Sequence, residues 1–233
     1  MQQQTSESLR AWFRQVQPLC VELFNVAHLM CGNYDLAEYA LRCAILDVWL
    51  ENASGGMGFR ERLRASLRRE AFEIALSDEG RAAEFTWPGV ADDGDDDPIL
   101  DQLIQEDVRV QRLVLLRHGC GLSPRSVAKL AGMTTGQVRG ELYRFSDRCA
   151  GRALRRSRAR VDARIARKAK QLLTRRDPDT PQISQIYRAF EAEADGAQVS
   201  GHRLSQVAGR VLLALTALFC AAAFWLFAVL VQG

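Results

Sequence analysis

The sequence predicts an all-α protein: two small helical domains joined by an acidic linker, the second containing a helix-turn-helix, then a basic helix and one C-terminal transmembrane helix. Three observations carry this. Apolar residues recur at helical spacing through most of the chain, and no segment sustains period-two alternation with β-branched residues. Val211 to Val231 reads VLLALTALFCAAAFWLFAVLV, uncharged throughout, and at the helical rise it reaches about 30 Å, the thickness of a bilayer core. Between them, Ser123 to Phe145 carries two helix-start signals separated by a glycine.

The first helical stretch runs from Ser8 to Met30, with Leu9, Trp12, Phe13, Val16, Leu19, Leu23, Val26 and Ala27 at helical intervals. Pro18 predicts a kink, or the start of a second helix within it. Gly32-Asn33 ends that stretch, and Asp35 to Glu51 resumes with Leu36, Ala40, Cys43, Ala44 and Val48 on one side. After Gly55, Gly56 and Gly58, Phe59 to Leu76 sets Leu63, Leu67, Ala71 and Ile74 beside five arginines. These helices make up a first domain, residues 8–79.

Periodicity then disappears. Residues 80–98 contain WPGVADDGDDDP, the composition of a flexible linker. Ala91 to Asp107 holds eight acids and no base, whereas Arg152 to Arg176 holds eleven Lys or Arg against Asp162 alone, a partition hidden inside a net charge of +3. The acidic stretch reads either as a solvated spacer or as a decoy that competes with DNA for a basic surface.

A second domain, residues 99–150, opens with an expected helix from Ile99 to His118. In GLSPRSVAKLAGMTTGQVRGELYRF, Ser123 is an N-cap with Pro124 at the first helical position. Gly132 permits a tight turn, and Thr134 with Gln137 makes a capping box for a second helix. Val127, Ala128, Ala131, Met133, Val138 and Leu142 are the expected buried positions, Ala128 being small where the helices cross. This is the helix-turn-helix pattern, in which the second helix enters the DNA major groove. Thr135, Gln137, Arg139 and Arg144 are then candidates for base edges and phosphates.

The remainder divides into a basic helical extension (151–176), a spacer (177–209) and the transmembrane helix (210–231). In the extension the arginines spread over several faces, so a one-sided amphipathic stripe is not expected. Arg155 and Arg156 are candidate phosphate contacts, with a solvated helix or a lipid-facing one as the other readings. Arg203 and Arg210 just before the span favour a body in the cytoplasm, hung from the inner membrane by a single-pass C-terminal anchor. Six cysteines without a CxxC pair and three scattered histidines supply neither a disulfide framework nor a metal cluster. No paired carboxylate, nucleophile–base pair or phosphate loop appears, and GGMG lacks the P-loop lysine, so an enzyme is not expected and no cofactor is implied.

These residues together resemble the small, extracytoplasmic-function type of bacterial RNA polymerase sigma factor. LSPRSVAKLAGMTTGQVRGELYRF is similar to that family's region 4, with Arg139 on the basic position of the recognition helix and Glu141 where another arginine is usual. NVAHLMCGNYDLAEYALRCAILDVWL resembles region 2 through Gly32, Ala37, Glu38 and Trp49, with Tyr39, Arg42 and Ile45 as departures and Arg62 replacing a tryptophan in the next helix. The resemblance implies polymerase binding through Glu38, Arg42 and Asp47. It implies promoter-strand contacts from Phe59, Arg60, Arg64, Arg68 and Arg69, with Phe72 beside them; core packing is the other reading of both aromatics. Promoter DNA, core RNA polymerase, an anti-sigma or signalling protein and the bilayer are the partners it implies. A membrane-bound regulator that keeps the DNA reader and uses its first domain for protein interaction is the alternative.

Overall fold

The structure, a computed structural model, describes residues 2–51, 58–91, 97–150, 158–175 and 184–192, and these contain helices and no strand. The chain divides into two compact units, Met1–Tyr187 and Arg188–Gly233; in the second, 188–192 is helical. No helix among the described residues is long and apolar enough to cross a membrane, and Val211 to Val231 lies outside them.

The first unit begins with α1 (Gln2–Val16), a 3-10 turn at Gln17–Leu19 and α2 (Cys20–Cys31). Pro18 falls in the tight turn, so the chain bends there and restarts as a new helix. Gly32 closes α2 at φ 71°, donating to His28 O at 2.7 Å, and Asn33 caps α3 (Tyr34–Leu50) by accepting Leu36 N–H at 3.1 Å. With α4 (Phe59–Leu76), α2 and α3 form a three-helix core. Leu23, Phe24, Leu41, Ile45, Leu63 and Leu67 are shut off from water there. Burying each such side chain contributes about 1.5–3 kcal/mol against the entropy of ordering the chain.

A one-turn helix, α5 (Asp78–Ala82), follows where periodicity had given no helix. Its signal is local: Ser77 accepts Gly80 N–H at 3.0 Å, and Asp78 and Glu79 sit in the first turn. The helix expected from Ile99 to His118 is broken. It becomes α6 (Pro98–Ile104), α7 (Val108–Val114) and a π-turn at Leu115–Gly119, where Cys120 N–H reaches Leu115 O at 2.9 Å. The break arises because Asp107 prefers to cap, accepting Arg109 N–H at 2.8 Å. Buried Gln111 meanwhile donates to Ile104 O and Glu106 O across the gap. Then come α8 (Pro124–Ala131), α9 (Thr135–Ala150) and α10 (Arg158–Leu173).

α10 corrects the reading of the basic run. Val161, Ile165, Lys168, Ala169 and Leu173 are buried against α9, the π-turn and α2. Arg160, Arg164, Arg167 and Lys170 stand on the exposed side. The helix is one-sided after all, because Lys168, the cation inside the stripe, lies 3.6 Å from Asp97.

Two reciprocal caps join the early helices to the late ones. Arg112 of α7 donates to Leu29 O (2.9 Å) and Met30 O (2.8 Å), carbonyls in the last turn of α2. Asn25 of α2 donates to Leu173 O (3.0 Å) and Arg175 O (2.7 Å) at the end of α10. Each group of helices therefore satisfies orphan carbonyls of the other.

Candidate nucleic-acid interface

α8 and α9 are held by the caps that their sequence encodes. Ser123 accepts Ser126 N–H at 3.1 Å, with Pro124 in the first turn of α8. Gly132 ends that helix at φ 63°, and Met133 N–H reaches back to Ala128 O at 3.0 Å. The capping box closes in both directions: Thr134 Oγ1 accepts Gln137 N–H at 3.2 Å, and Gln137 Oε1 accepts Thr134 N–H at 2.9 Å. Val127, Ala128, Val138, Leu142 and Phe145 are buried beneath the pair, while Ala131 and Met133 are half-buried.

The outward side of α9 presents Gly136, Gln137, Arg139, Tyr143 and Arg144. Arg139 is exposed and makes no ion pair with any described residue. Arg144 pairs with Glu141, so the acid that stands at an expected basic position holds the neighbouring cation. Gln137 differs from its expected role: its oxygen also accepts Thr134 Oγ1 at 3.0 Å, so only its amide NH₂ can address a base. Thr135 is half-buried at the helix start. Among the described residues nothing fills the space over Gly140, and Gly136 meets only Thr134 Oγ1 at 3.9 Å, so a partner can approach this backbone closely. Arg155 and Arg156 lie outside the described residues.

The candidates on α3 and α4 occur together but largely on each other. Arg64 makes a two-point pair with Glu22, both bonds 2.8 Å, and that hydrogen bonding raises its pKa above the usual guanidinium value. Arg69 reaches Asp47 at 2.7 Å, which with Glu70 raises its pKa likewise. Asp47 also accepts Ser66 Oγ at 2.8 Å, and Glu38 pairs with Arg42 at 3.2 Å one turn on. Arg68 donates to Arg64 O at 3.2 Å, and Arg60 is exposed. Phe59 is buried with its ring edge-on to Trp12, centroids 5.7 Å apart, and Phe72 is half-buried. Its burial against Trp12 of α1 gives Phe59 the core-packing role, since a buried ring presents no face to a base.

Sequence reasoning passed over the extended strap at 83–91. Phe85 lies 47% exposed with the Arg112 guanidinium 4.9 Å over its ring. Phe85, Trp87, Val108, Arg109, Arg112, Leu113 and Ala131 line a cavity of about 420 Å³ beside α8. Its available signal was the WPG tripeptide, an aromatic within turn-forming residues.

Burial pushes the Cys20, Cys31 and Cys120 thiols up to about 12 and Cys149 up to about 11, so they are packing groups and not nucleophiles. No group of three His, Cys, Asp or Glu among the described residues can hold a metal ion. Protein-family models, curated proteins and solved structures all return no match to this chain.

Proposed function

We propose that the chain is a sigma-factor-like transcription initiation protein that binds promoter DNA and core RNA polymerase while tethered to the inner membrane through Val211 to Val231. One observation carries the reading: a doubly capped helical pair that leaves Arg139 exposed and unpaired among the described residues on the outer side of α9. A rigid helix bearing a free guanidinium can place two parallel donors on a guanine edge in the major groove. The open backbone at Gly136 and Gly140 lets the duplex come close.

A second reading is favoured by a different observation. Phe59 is buried and Arg64 and Arg69 are committed to Glu22 and Asp47, so the strand-contact set on α4 is largely used within the fold. In that reading the protein is a membrane-bound regulator whose α1–α4 core is a protein-interaction module, such as a docking site for an anti-sigma or signalling protein. Capture of core RNA polymerase by the full chain separates the two.

The test of DNA reading is selection from a randomised duplex pool by the detergent-solubilised full chain at two salt concentrations. A shorter fragment beginning at residue 99 is unsuitable, because it strips Arg112 of the α2 carbonyls it caps. Arg139→Ala is expected to cost about 1–3 kcal/mol and relax preference at one base position. Absence of any enriched sequence would sink the reading.

A further inference from the structure

The strap at 83–91 is fixed at both ends. Thr86 N–H donates to Gly32 O at 2.7 Å, while its Oγ1 accepts Tyr34 N–H at 3.2 Å. Asn33 holds Glu84 O at 3.0 Å, and six residues further on Val90 N–H donates to the buried Gln111 side chain at 2.8 Å. Gly89 turns the chain at φ 99°, where a Cβ would stand 2.8 Å from Gln111 Oε1. Pro88 has its φ fixed by its ring. Trp87 is therefore presented between two pins, half-exposed, on backbone that has little freedom left to lose on binding.

The cavity beside it is lined by the apolar side chains of Val108, Leu113 and Ala131 and by the aromatic side chains of Phe85 and Trp87. Two guanidiniums stand at the cavity. Arg112 is occupied, stacked on Phe85 and bonded to α2. Arg109 is exposed and makes no ion pair among the described residues. A planar aromatic wall with one available cation complements a flat π system that carries a negative charge. Bases stack on such faces without regard to sequence, and their phosphates need a cation within reach. A base stacked inside a duplex cannot enter a cavity, whereas an unpaired one can.

We propose that this cleft captures an unpaired nucleotide of a single nucleic-acid strand, the base against Trp87 and the phosphate on Arg109. The assignment rests on the DNA-binding reading above and moves strand capture from α4, where Phe59 is enclosed, to the strap beside the reader helices. Trp87 is the stacking platform, held in place by the strap's bonds to Gly32, Tyr34 and Gln111 on either side of it.

The experiment is an anisotropy titration of the full chain, in nonionic detergent, against a labelled single-stranded oligothymidine. Trp87→Leu, which keeps apolar bulk but removes the π face, is expected to weaken binding roughly 5- to 100-fold, while Trp87→Phe stays within a few-fold of the parent. Arg109→Gln weakens binding and lowers the salt slope by about 0.7; Arg81→Gln, an equal charge loss on α5, changes neither. Circular dichroism establishes that each variant is folded. Wild-type affinity in a folded Trp87→Leu protein overturns the proposal, as does equal weakening by Arg81→Gln and Arg109→Gln. Thymidine monophosphate competing as well as the strand assigns the cleft to a free nucleotide and overturns the strand assignment. Failure to bind the strand, with an acidic peptide binding in its place and lost in Trp87→Leu, assigns it to a protein partner and overturns it too. Duplex selection with Arg139→Ala is read separately: an enriched duplex without a Trp87 effect removes the cleft alone, and a Trp87 effect without enrichment removes the major-groove reader alone.

Discussion

Gly32 and Gly132 end helices in the same left-handed conformation, at φ 71° and 63°, yet their surroundings differ. No described residue lies within 4 Å of where a Cβ would sit on Gly132, so Gly132→Ala should cost only the backbone term, about 1–2 kcal/mol. At Gly32 the same atom would stand 2.5 Å from Phe85 Cδ2, forcing the ring off Arg112. Gly32→Ala should therefore be the costlier, and Phe85→Ala in that background should recover part of the loss. Denaturant unfolding of Gly132→Ala, alongside a double-mutant cycle of Gly32→Ala and Phe85→Ala, checks this, and equal costs at the two glycines would refute it. Both glycines were legible as punctuation. The ring over one of them was not, because Phe85 comes far later in the chain and within a segment without periodicity.

At the scale of the element, α10 shows how charge can mask a pattern. Val161, Ile165, Ala169 and Leu173 recur every fourth residue, but around them stand Arg160, Arg164, Arg167 and Lys170, and Lys168 breaks the stripe. Asp97, 3.6 Å from the Lys168 ammonium, helps to make that buried position tolerable. If α10 is a packed element, Ile165→Ala should lower stability by about 2–5 kcal/mol, as other large-to-small changes in cores do. Arg164→Gln should fall within about 0.5 kcal/mol of the parent. Chemical denaturation separates them; equal, small effects would mean that the helix is a solvated tail. The single Ile99–His118 helix failed for the complementary reason. Asp107 and Gln111 gain more from a cap and a bridge than from continuing the helix, and apolar spacing does not register polar competition of that kind.

The whole molecule couples its early and late helices through the π-turn, and His118 reports on that coupling. Burial holds its imidazole below the ordinary value, with Asp162 opposing and Arg117 assisting. The unfolded chain therefore takes up a proton near pH 6.5, before the folded one does. Stability that is present above that value is lost as pH falls through the window down to the folded pKa. Thermal melts from about pH 7.5 to 5.5 should show a falling Tm, with a shallower slope in His118→Gln; identical slopes would remove the histidine from the account. For the C-terminal run, the full chain should resist carbonate extraction from membranes and a chain ending at Gly209 should be released. Full recovery of the parent in the soluble fraction would sink the anchor.

By itself the sequence determined what depends on neighbours within a turn or two. Helical periodicity, the Ser123 and Thr134 caps, the glycine stops and the all-α class follow from interactions at i+2 to i+4, and such interactions are written side by side in the chain. The tertiary structure decided whatever depends on distance along the chain. It committed Arg64 to Glu22 and Arg69 to Asp47, and enclosed Phe59 against Trp12. It also pinned Trp87 between Gly32 and Gln111 and left Arg109 and Arg139 unpaired among the described residues. A cation becomes available to a ligand only when the fold brings no acid to it, and which acids arrive is settled by packing.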